Sequence, residues 1–282
     1  MVVRFLMAAF ALATIASVAI AGAPRDGVLD PAFGTAGVVL SDAPAGSNLV
    51  LGRTRGITLL ANGDTLVISS ARQNGSASVQ PALFRFDPRG LPVASFGVAG
   101  FSSFVVPGIV APDGLEPHAA VELSDGRIVV IAAVRGTLFD YYRTPAVFAI
   151  DASGQLDLTY GPDLGPGVID FGTGTDDPFV MPLGSIARIT GDRVLICGSG
   201  VSTVPPLSVM ARLTSDGRRD AAFGTDGIRP FGGSFSGGAY GKPGIQVSGD
   251  SVSVSGGLLG PAPQGIYRGG GSLDPVHGHG NA

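Results

Sequence analysis

Short apolar runs separated by Gly, Asp, Asn and Pro recur along the chain, a pattern that predicts strands and tight turns. Two of these runs are Thr-Leu-Val-Ile-Ser at 65–69 and Ile-Val-Val-Ile-Ala at 128–132. Asn-Gly and Asp-Gly favour type I′ turns and Gly-Asp favours type II′ turns, and both turns join antiparallel strands. Such a dipeptide occurs at four places: Asn62-Gly63, Asp125-Gly126, Gly191-Asp192 and Gly249-Asp250. The pattern therefore predicts four two-residue hairpins.

A second motif, of the form Gly-x-x-Asp-x-x-Phe-Gly, lies between the hairpins. Its copies, which we call boxes 1 to 5, begin at Gly27, Gly90, Gly154, Gly217 and Gly271, at spacings of 63, 64, 63 and 54 residues. The aromatic position holds Phe33, Phe96, Tyr160 and Phe223, and His277 in box 5. An apolar run precedes boxes 2 to 4, at 82–86, 146–150 and 208–213, and predicts a return strand. We expect the four aromatic side chains to pack between neighbouring repeats.

Each period holds four short strands: two around the hairpin, the return strand, and one after the box. Repeated four-stranded units of this kind are typical of β-propeller blades. The sequence predicts one all-β domain over 22–282, a β-propeller of four four-stranded blades at about 41–104, 105–171, 172–231 and 232–282. Residues 27–40 precede the first hairpin, so the strand at about 36–40 is predicted to complete the last blade. The alternatives are an open β-repeat array, a ring completed by a second chain, or a β-solenoid.

The segment Leu-Asp-Pro-Ala-Phe-Gly-Thr-Ala-Gly at 29–37, followed by a strand, a hairpin and another box, resembles the delta-60 repeat. That family consists of tandem bacterial β-propeller-like repeats, and the resemblance covers about residues 27–278. Boxes 1 and 4 keep both Asp and Phe, whereas box 2 has Val93 in the Asp position. The resemblance implies a propeller-like fold and export, and it brings no catalytic residue with it.

Composition supports a β-rich chain. Of 282 residues, 45 are Gly and 21 are Pro, while charged residues make up 14%. A helix bundle needs continuous faces of good helix formers, and a disordered chain is rich in charge, so both classes are excluded. The formal net charge is −4, and no run of Lys and Arg exceeds two residues. A nucleic-acid partner is therefore not expected, because binding phosphates requires a basic stripe.

The first 21 residues predict an export signal. Arg4 precedes an apolar run from Phe5 to Val18, and Ala19-Ile20-Ala21 supplies the small-x-small pattern of a cleavage site. An uncleaved membrane anchor is the alternative. We expect cleavage after Ala21 and a secreted or periplasmic protein without stable membrane insertion.

The sequence has few residues of the types that commonly act as nucleophiles, general bases or metal ligands. Cys197 lies in an apolar run and is expected to be a buried small hydrophobic residue. His118 precedes a predicted strand, and we expect it at the surface or in a capping position near the mouth of the ring, with a ligand contact as the alternative. Ser251 in Gly249-Asp250-Ser251 and the Asp274–His277 segment resemble two blocks of an esterase family. Both belong to the repeat pattern, so no catalytic role is assigned to them.

Three further features are weak candidates for binding. His277 and His279 are two ligands short of a zinc site. Asp176-Asp177 could contact calcium or a polar ligand, but a solvated loop is expected, and Tyr141-Tyr142 could present an aromatic surface to a sugar or peptide. The glycine clusters at 165–167 and 198–200 lack the strand–turn–helix setting of a phosphate site. No catalytic, cofactor-binding or metal-binding residue is assigned.

The sequence favours an exported, non-catalytic β-propeller that serves as a binding or scaffold module, with an unidentified protein, peptide or glycan ligand. The alternative is a secreted hydrolase whose site lies in an axial pocket and combines residues of several blades. A third hypothesis is that the chain is a fragment of a larger adhesin-like array.

Overall fold

The computed structural model describes residues 28–107, 114–134, 145–161, 169–170, 185–199, 208–231, 244–248, 251–255 and 265–268. These residues form seventeen strands and no helix, so the described part of the chain is all-β. Every ladder between the strands is antiparallel, and the strands are grouped in four sheets. Each sheet lies within one of the four predicted repeats.

Sheet 1 contains five strands in which two short strands share one long neighbour. The strands are β1 (Leu49–Leu51), β2 (Gly56–Leu59), β3 (Thr65–Gln73), β4 (Val79–Phe86) and β5 (Phe101–Ser103). Strand β2 pairs with the first half of β3 and β1 with the second half, and β4 and β5 follow in order. The sheet is therefore four strand positions wide.

Sheets 2 and 3 are also four strand positions wide, but in sheet 2 the two short strands share the outer position and in sheet 3 each position holds one strand. Sheet 4 has three strands among the described residues. Sheet 2 contains β6 (Leu115–Glu122), β7 (Ile128–Val134), β8 (Pro145–Ile150), β9 (Leu156–Asp157) and β10 (Ile169–Asp170). Sheet 3 contains β11 (Ser185–Ile189), β12 (Arg193–Ser199), β13 (Ser208–Leu213) and β14 (Ile228–Phe231). Sheet 4 contains β15 (Gly244–Ser248), β16 (Ser251–Ser255) and β17 (Gly265–Arg268).

The hairpins exist where the sequence places them, but the predicted turn types are wrong. In the first hairpin only Gly63 has a positive φ, +87°, and its N–H donates to the Leu60 carbonyl, which makes a type I turn followed by a left-handed glycine. The side-chain oxygen of Asn62 accepts from the Asp64 N–H and holds Asn62 in this turn. The hairpin at Gly126 has the same form.

The third hairpin also departs from the expected type II′ turn, because Gly191 and Asp192 both have positive φ values, +75° and +56°. The ladder pairs Ile189 with Arg193, so this loop has three residues instead of the predicted two. The fourth dipeptide, Gly249-Asp250, lies outside the described residues.

Sheets pack face to face in chain order. One buried cluster joins Leu66 and Ile68 of sheet 1 to Val130 and Phe148 of sheet 2. A second cluster joins sheet 2 to sheet 3, and a third joins sheet 3 to Val252 of sheet 4. The first strands of successive sheets, β2, β6, β11 and β15, also lie side by side. Stacked antiparallel sheets with adjacent first strands are compatible with a propeller-like architecture.

The N-terminal segment lies on the outward face of sheet 1. Val39 packs against the cluster that contains Phe84 and Phe101, and Thr35 forms a bridge with Val38. Residues 39 and 40 belong to no ladder among the described residues. The predicted pairing of residues 36–40 with the last sheet is therefore not formed there, and ring closure stays a prediction.

The outward faces of the first and last sheets differ in chemistry. In sheet 1, Ile57 and Leu59 are 70% and 74% exposed on the face that points away from sheet 2. In sheet 4 the corresponding pair between the first two strands is polar, with Gln246 opposite Ser253. In sheet 3 the equivalent pair is apolar, with Ala187 opposite Leu195. A polar face is poorly matched to an apolar one, so these two ends of the stack are not complementary.

Among the described residues, no helix has the length and apolar character needed to cross a membrane. The predicted signal peptide at 1–21 lies outside those residues, so export also stays a prediction.

Candidate functional site

The junctions between neighbouring sheets are the most repeated feature of the molecule. The aromatic side chain of one box packs against the first glycine of the next box: Phe33 on Gly90, Phe96 on Gly154 and Tyr160 on Gly217. We call these the aromatic–glycine contacts. At each of them the glycine that follows the aromatic residue donates its N–H to a backbone carbonyl of the next repeat. The bonds are Gly34 to Arg89 at 2.7 Å, Gly97 to Ser153 at 2.7 Å and Gly161 to Asp216 at 2.9 Å.

Burial shows that the aromatic residues of boxes 2 to 4 belong to the core, whereas Phe33 of box 1 is half-buried. Phe96 and Tyr160 are 0% exposed and Phe223 is 1% exposed. The prediction that they pack between repeats is confirmed. The Tyr160 hydroxyl is buried and has no hydrogen-bond partner among the described residues. Burial raises the pKa of this hydroxyl well above its usual value, so it stays neutral.

A guanidinium group lies over the aromatic ring of each of boxes 2, 3 and 4. Arg85 is 6.0 Å from the centre of the Phe96 ring, Arg127 is 5.6 Å from that of Tyr160, and Arg212 is 4.7 Å from that of Phe223. Such cation–π contacts contribute about 0.5–2 kcal/mol each, and more when the site is dry. Arg85 and Arg127 also donate to carbonyls of the following repeat, those of Ala152 and Ser215. The arginines therefore connect neighbouring sheets.

Each of these arginines pairs with a carboxylate, but the carboxylate lies in the box in some repeats and in the hairpin in others. In the third repeat Arg212 Nε lies 2.8 Å from Asp220 of the box. In the second repeat Arg127 lies 2.7 Å from Asp125 of the hairpin and 3.8 Å from Asp157 of the box. Box 2 has Val93 at this position, and there Arg85 Nε lies 2.8 Å from Asp64, in the hairpin. The nearest carboxylate is therefore a hairpin residue in the first two repeats and a box residue in the third.

The turns that begin boxes 2 and 3 are stabilised by aspartate side chains. Oδ1 of Asp151 accepts from the N–H groups of Ser153 and Gln155, and Asp87 makes the equivalent bonds. At Asp151 partial burial raises the pKa, but hydrogen bonds from the Ser153 side chain and these N–H groups outweigh it and lower the pKa overall. At Asp87 the pKa is lowered chiefly by the Leu91 N–H and by Arg89. These turns hold the carbonyls that accept from the preceding repeat.

A polar group occupies the edge between the first strands of sheets 1 and 2. Arg55 donates from two of its nitrogens to one oxygen of Glu116, which is 5% exposed. Thr58 Oγ1 donates to the Ala120 carbonyl at 2.9 Å. A buried carboxylate that pairs with an arginine in this way is typical of a structural ion pair.

His118 lies in the same region, and the sequence-based placement of it was wrong. It belongs to strand β6, at a register shift between Pro117 and Ala119, and is 2% exposed. A bulge adds one residue to the strand, and the surrounding sheet buries it. The structure therefore places His118 in a buried strand, two residues after Glu116, rather than in a surface loop.

Cys197 is buried in strand β12, as predicted, at 0% exposure. Burial alone raises the pKa of its thiol, so the nucleophilic thiolate is disfavoured. Within the described ranges, no group of three His, Cys, Asp or Glu side chains is arranged to hold a metal ion.

The other sequence candidates lie outside the described residues. They are Tyr141-Tyr142, residues 165–167, Asp176-Asp177, Gly249-Asp250, the Asp274–His277 segment and His279. Ser251 begins strand β16, which supports its assignment to the hairpin repeat.

Sequence reasoning missed the guanidinium groups over the aromatic rings. A signal was present, because Arg85 and Arg212 occupy the same position of the return strand, opposite Leu66 and Leu195. The loss of Asp at Val93 could also have suggested a substitute carboxylate nearby.

Comparisons with known proteins add little to this picture. No protein-family model matches the chain, and comparison with curated proteins gives no match. Among solved structures, the crystal structure of polysaccharide lyase Uly1 is similar, with a TM-score of 0.37 and 13% sequence identity over 78% of this chain. The match spans 49% of that protein's length. The resemblance to the delta-60 repeat stays a prediction.

Proposed function

We propose that the chain is an exported, non-catalytic binding or scaffold module built from four propeller-like blades. The proposal rests on one observation: the arginine, aspartate and cysteine side chains described above take part in packing and ion pairs within and between the sheets. Arg85, Arg127 and Arg212 are engaged with aromatic rings and carboxylates, and Cys197 is buried in an apolar strand. Side chains committed to packing are not available as nucleophiles or general bases.

The ligand-binding surface is expected at one end of the stack. Thr65 pairs with Phe86, which places the hairpin tips and the box turns together at one end of the sheets. At the other end, the loops between the second and third strands vary from five residues at 74–78 to ten at 135–144. In repeat proteins, variable loops on one side of a regular scaffold commonly provide the binding surface. We call this side the loop end.

The test is a glycan and peptide array probed with residues 22–282, followed by titration of each ligand found. Arg72, exposed at the loop end, is replaced by Ala, and Arg218, exposed among the box turns, is replaced by Ala as the matched control. The proposal expects Arg72→Ala to weaken binding and Arg218→Ala to leave it unchanged. Equal effects, or an array without any ligand, would count against it.

The hydrolase alternative is decided by a separate assay. The same protein is incubated with polysaccharide, ester and peptide substrates, and any activity is compared with that of Glu116→Gln. Hydrolysis that Glu116→Gln abolishes, while the variant still unfolds like the parent protein, would replace the binding proposal with an axial catalytic site.

A closed ring and an open array are the two possible arrangements of the four blades, and a separate test distinguishes them. In sheet 1 the residue that follows box 2, Phe101, pairs with Phe84 of the return strand. Val38 holds the same place after box 1, and Gly265 holds the place of Phe84 in the last repeat, so Val38 would lie opposite Gly265 in a closed ring. Directly opposed residues have Cβ atoms about 4.5–5.5 Å apart, which suits a disulfide after small adjustment. A disulfide in Val38→Cys/Gly265→Cys supports closure. Its absence supports the open array, which the polar pair Gln246–Ser253 favours.

A further inference from the structure

The sequence contains two Asn-Gly dipeptides, Asn62-Gly63 and Asn74-Gly75, and they lie in different environments. Asparagine followed by glycine is chemically unstable because the small glycine leaves its backbone nitrogen accessible to the asparagine side chain. The two dipeptides flank strand β3, one at each end of sheet 1. The fold restrains these two dipeptides to different degrees.

Asn62-Gly63 is held by three hydrogen bonds. Asn62 Nδ2 donates to Asp64 Oδ2 at 2.8 Å, and Asn62 Oδ1 accepts from the Asp64 N–H at 3.0 Å. The Gly63 N–H donates to the Leu60 carbonyl at 2.9 Å. Both the side-chain amide and the nitrogen that would attack it are therefore engaged.

Asn74-Gly75 has none of these restraints. Both residues are exposed, and the Asn74 side chain makes no hydrogen bond with the described residues. The Gly75 N–H likewise donates no bond there, and no atom lies within 4 Å of the place where a Cβ on Gly75 would stand. In the tip the Asn74 N–H donates to the Asn48 carbonyl and the Ser76 N–H to the Gln73 carbonyl, each at 2.9 Å, and the Ser78 N–H donates to Ser76 Oγ at 3.1 Å. None of these bonds engages the Asn74 side chain or the Gly75 nitrogen.

We propose that Asn74 is a site of spontaneous covalent modification, deamidation, and that the fold protects Asn62 from the same reaction. The Gly75 nitrogen loses its proton to solvent hydroxide and attacks Asn74 Cγ, forming a C–N bond and closing a succinimide ring. Asn74 Nδ2 leaves as ammonia after taking a proton from water. Water then opens the ring at either carbonyl and gives aspartate or isoaspartate. One water enters and one ammonia leaves, and no other reactant is required.

The modification changes the loop end of the molecule. Aspartate or isoaspartate adds one negative charge to a chain whose formal net charge is −4. Isoaspartate also lengthens the main chain by one carbon at the β3–β4 turn. This inference is independent of the proposed function and stands whether or not the loop end binds a ligand.

Tryptic peptide mapping separates the two sites. Arg55, Arg72 and Arg85 place Asn62 in the peptide 56–72 and Asn74 in the adjacent peptide 73–85. Residues 22–282 are incubated at mildly alkaline pH, and the conversion of each amide to acid is followed by mass spectrometry. Isoaspartate is identified by enzymatic methylation with an isoaspartate methyltransferase.

Conversion at Asn74 is expected to be about a hundredfold faster than at Asn62 in the folded protein, because three hydrogen bonds must open at Asn62. In denaturant the two rates should approach each other. Asn74→Gln should remove the signal from peptide 73–85 and leave peptide 56–72 unchanged. Equal rates in the folded protein, faster conversion at Asn62, or an unmodified Asn74 would each overturn the proposal.

Discussion

The aromatic–glycine contact between sheets 1 and 2 predicts a specific cost for Gly154→Ala. A Cβ built on Gly154 would stand 2.9 Å from Cε2 and 3.0 Å from Cζ of Phe96. Phe96 is fully buried, so its ring has no open space into which to move. Overpacking of this kind costs about 1–3 kcal/mol. The left-handed backbone of Gly154, φ +83°, adds about 1–2 kcal/mol for any residue with a Cβ.

Gly126→Ala is the matched control. Gly126 has nearly the same backbone conformation, φ +86°, but nothing lies within 4 Å of the place where its Cβ would stand. The substitution therefore carries the backbone cost without the packing cost. The difference between the two variants isolates the contact with Phe96 and should be about 1–3 kcal/mol.

Equilibrium urea unfolding measures this difference. With a slope of about 2 kcal/mol per molar urea, the midpoint of Gly154→Ala should lie about 0.5–1.5 M below that of Gly126→Ala. Adding Phe96→Leu to Gly154→Ala removes the crowding ring atoms, so the two substitutions together should cost less than the sum of their separate effects. Equal midpoints for Gly154→Ala and Gly126→Ala, or strictly additive effects in the double variant, would refute the reasoning.

Three further predictions concern the charges and the hydroxyl at the junctions. Asp64→Asn removes the carboxylate that pairs with the buried Arg85 and should lower the free energy of unfolding in urea by about 2–4 kcal/mol. Adding Val93→Asp should restore part of that stability by placing a carboxylate in the box. No recovery would show that a box carboxylate cannot replace Asp64 in this repeat. Tyr160→Phe should be neutral or stabilise by up to about 1 kcal/mol, because the hydroxyl is buried without a partner among the described residues; a loss above about 1 kcal/mol would contradict this. The pKa of Asp151 is lowered in the folded protein, so its hydrogen bonds stabilise the fold fully above the unfolded pKa of about 3.9 and are lost as pH falls through the lower folded pKa. Asp151→Asn should therefore make the free energy of unfolding fall less steeply in acid. An unchanged dependence of stability on pH would argue against this.

The hairpins show where local sequence patterns succeed and where they fail. The positions of the turns follow from Gly63 and Gly126 alone, since glycine tolerates the positive φ that each turn requires. The turn type does not follow from the dipeptide, because the Asn62 side chain bonds to the backbone two residues on and favours a type I turn with a following left-handed glycine.

The junctions show a different limit. The spacing of the boxes indicates that Phe96 and Tyr160 repeat, but it does not say what they touch. Their contacts are with glycines about 57 residues further along the chain, and only the stacking of sheets brings these groups together. His118 was misplaced for the same reason, because a strand register shift is set by pairing with the neighbouring strand.

Residues close together in the chain are enough to specify the β-rich class of the protein, the order of the strands in each repeat and the position of each turn. These properties depend on local chemistry: alternating apolar residues, glycines where φ is positive, and Asp or Asn where a turn needs a side-chain acceptor. The packing of the sheets decides which groups meet across repeats, including Phe96 with Gly154 and Arg85 with the Ala152 carbonyl. These properties depend on distances between residues far apart in the chain, and such distances exist only once the sheets have packed.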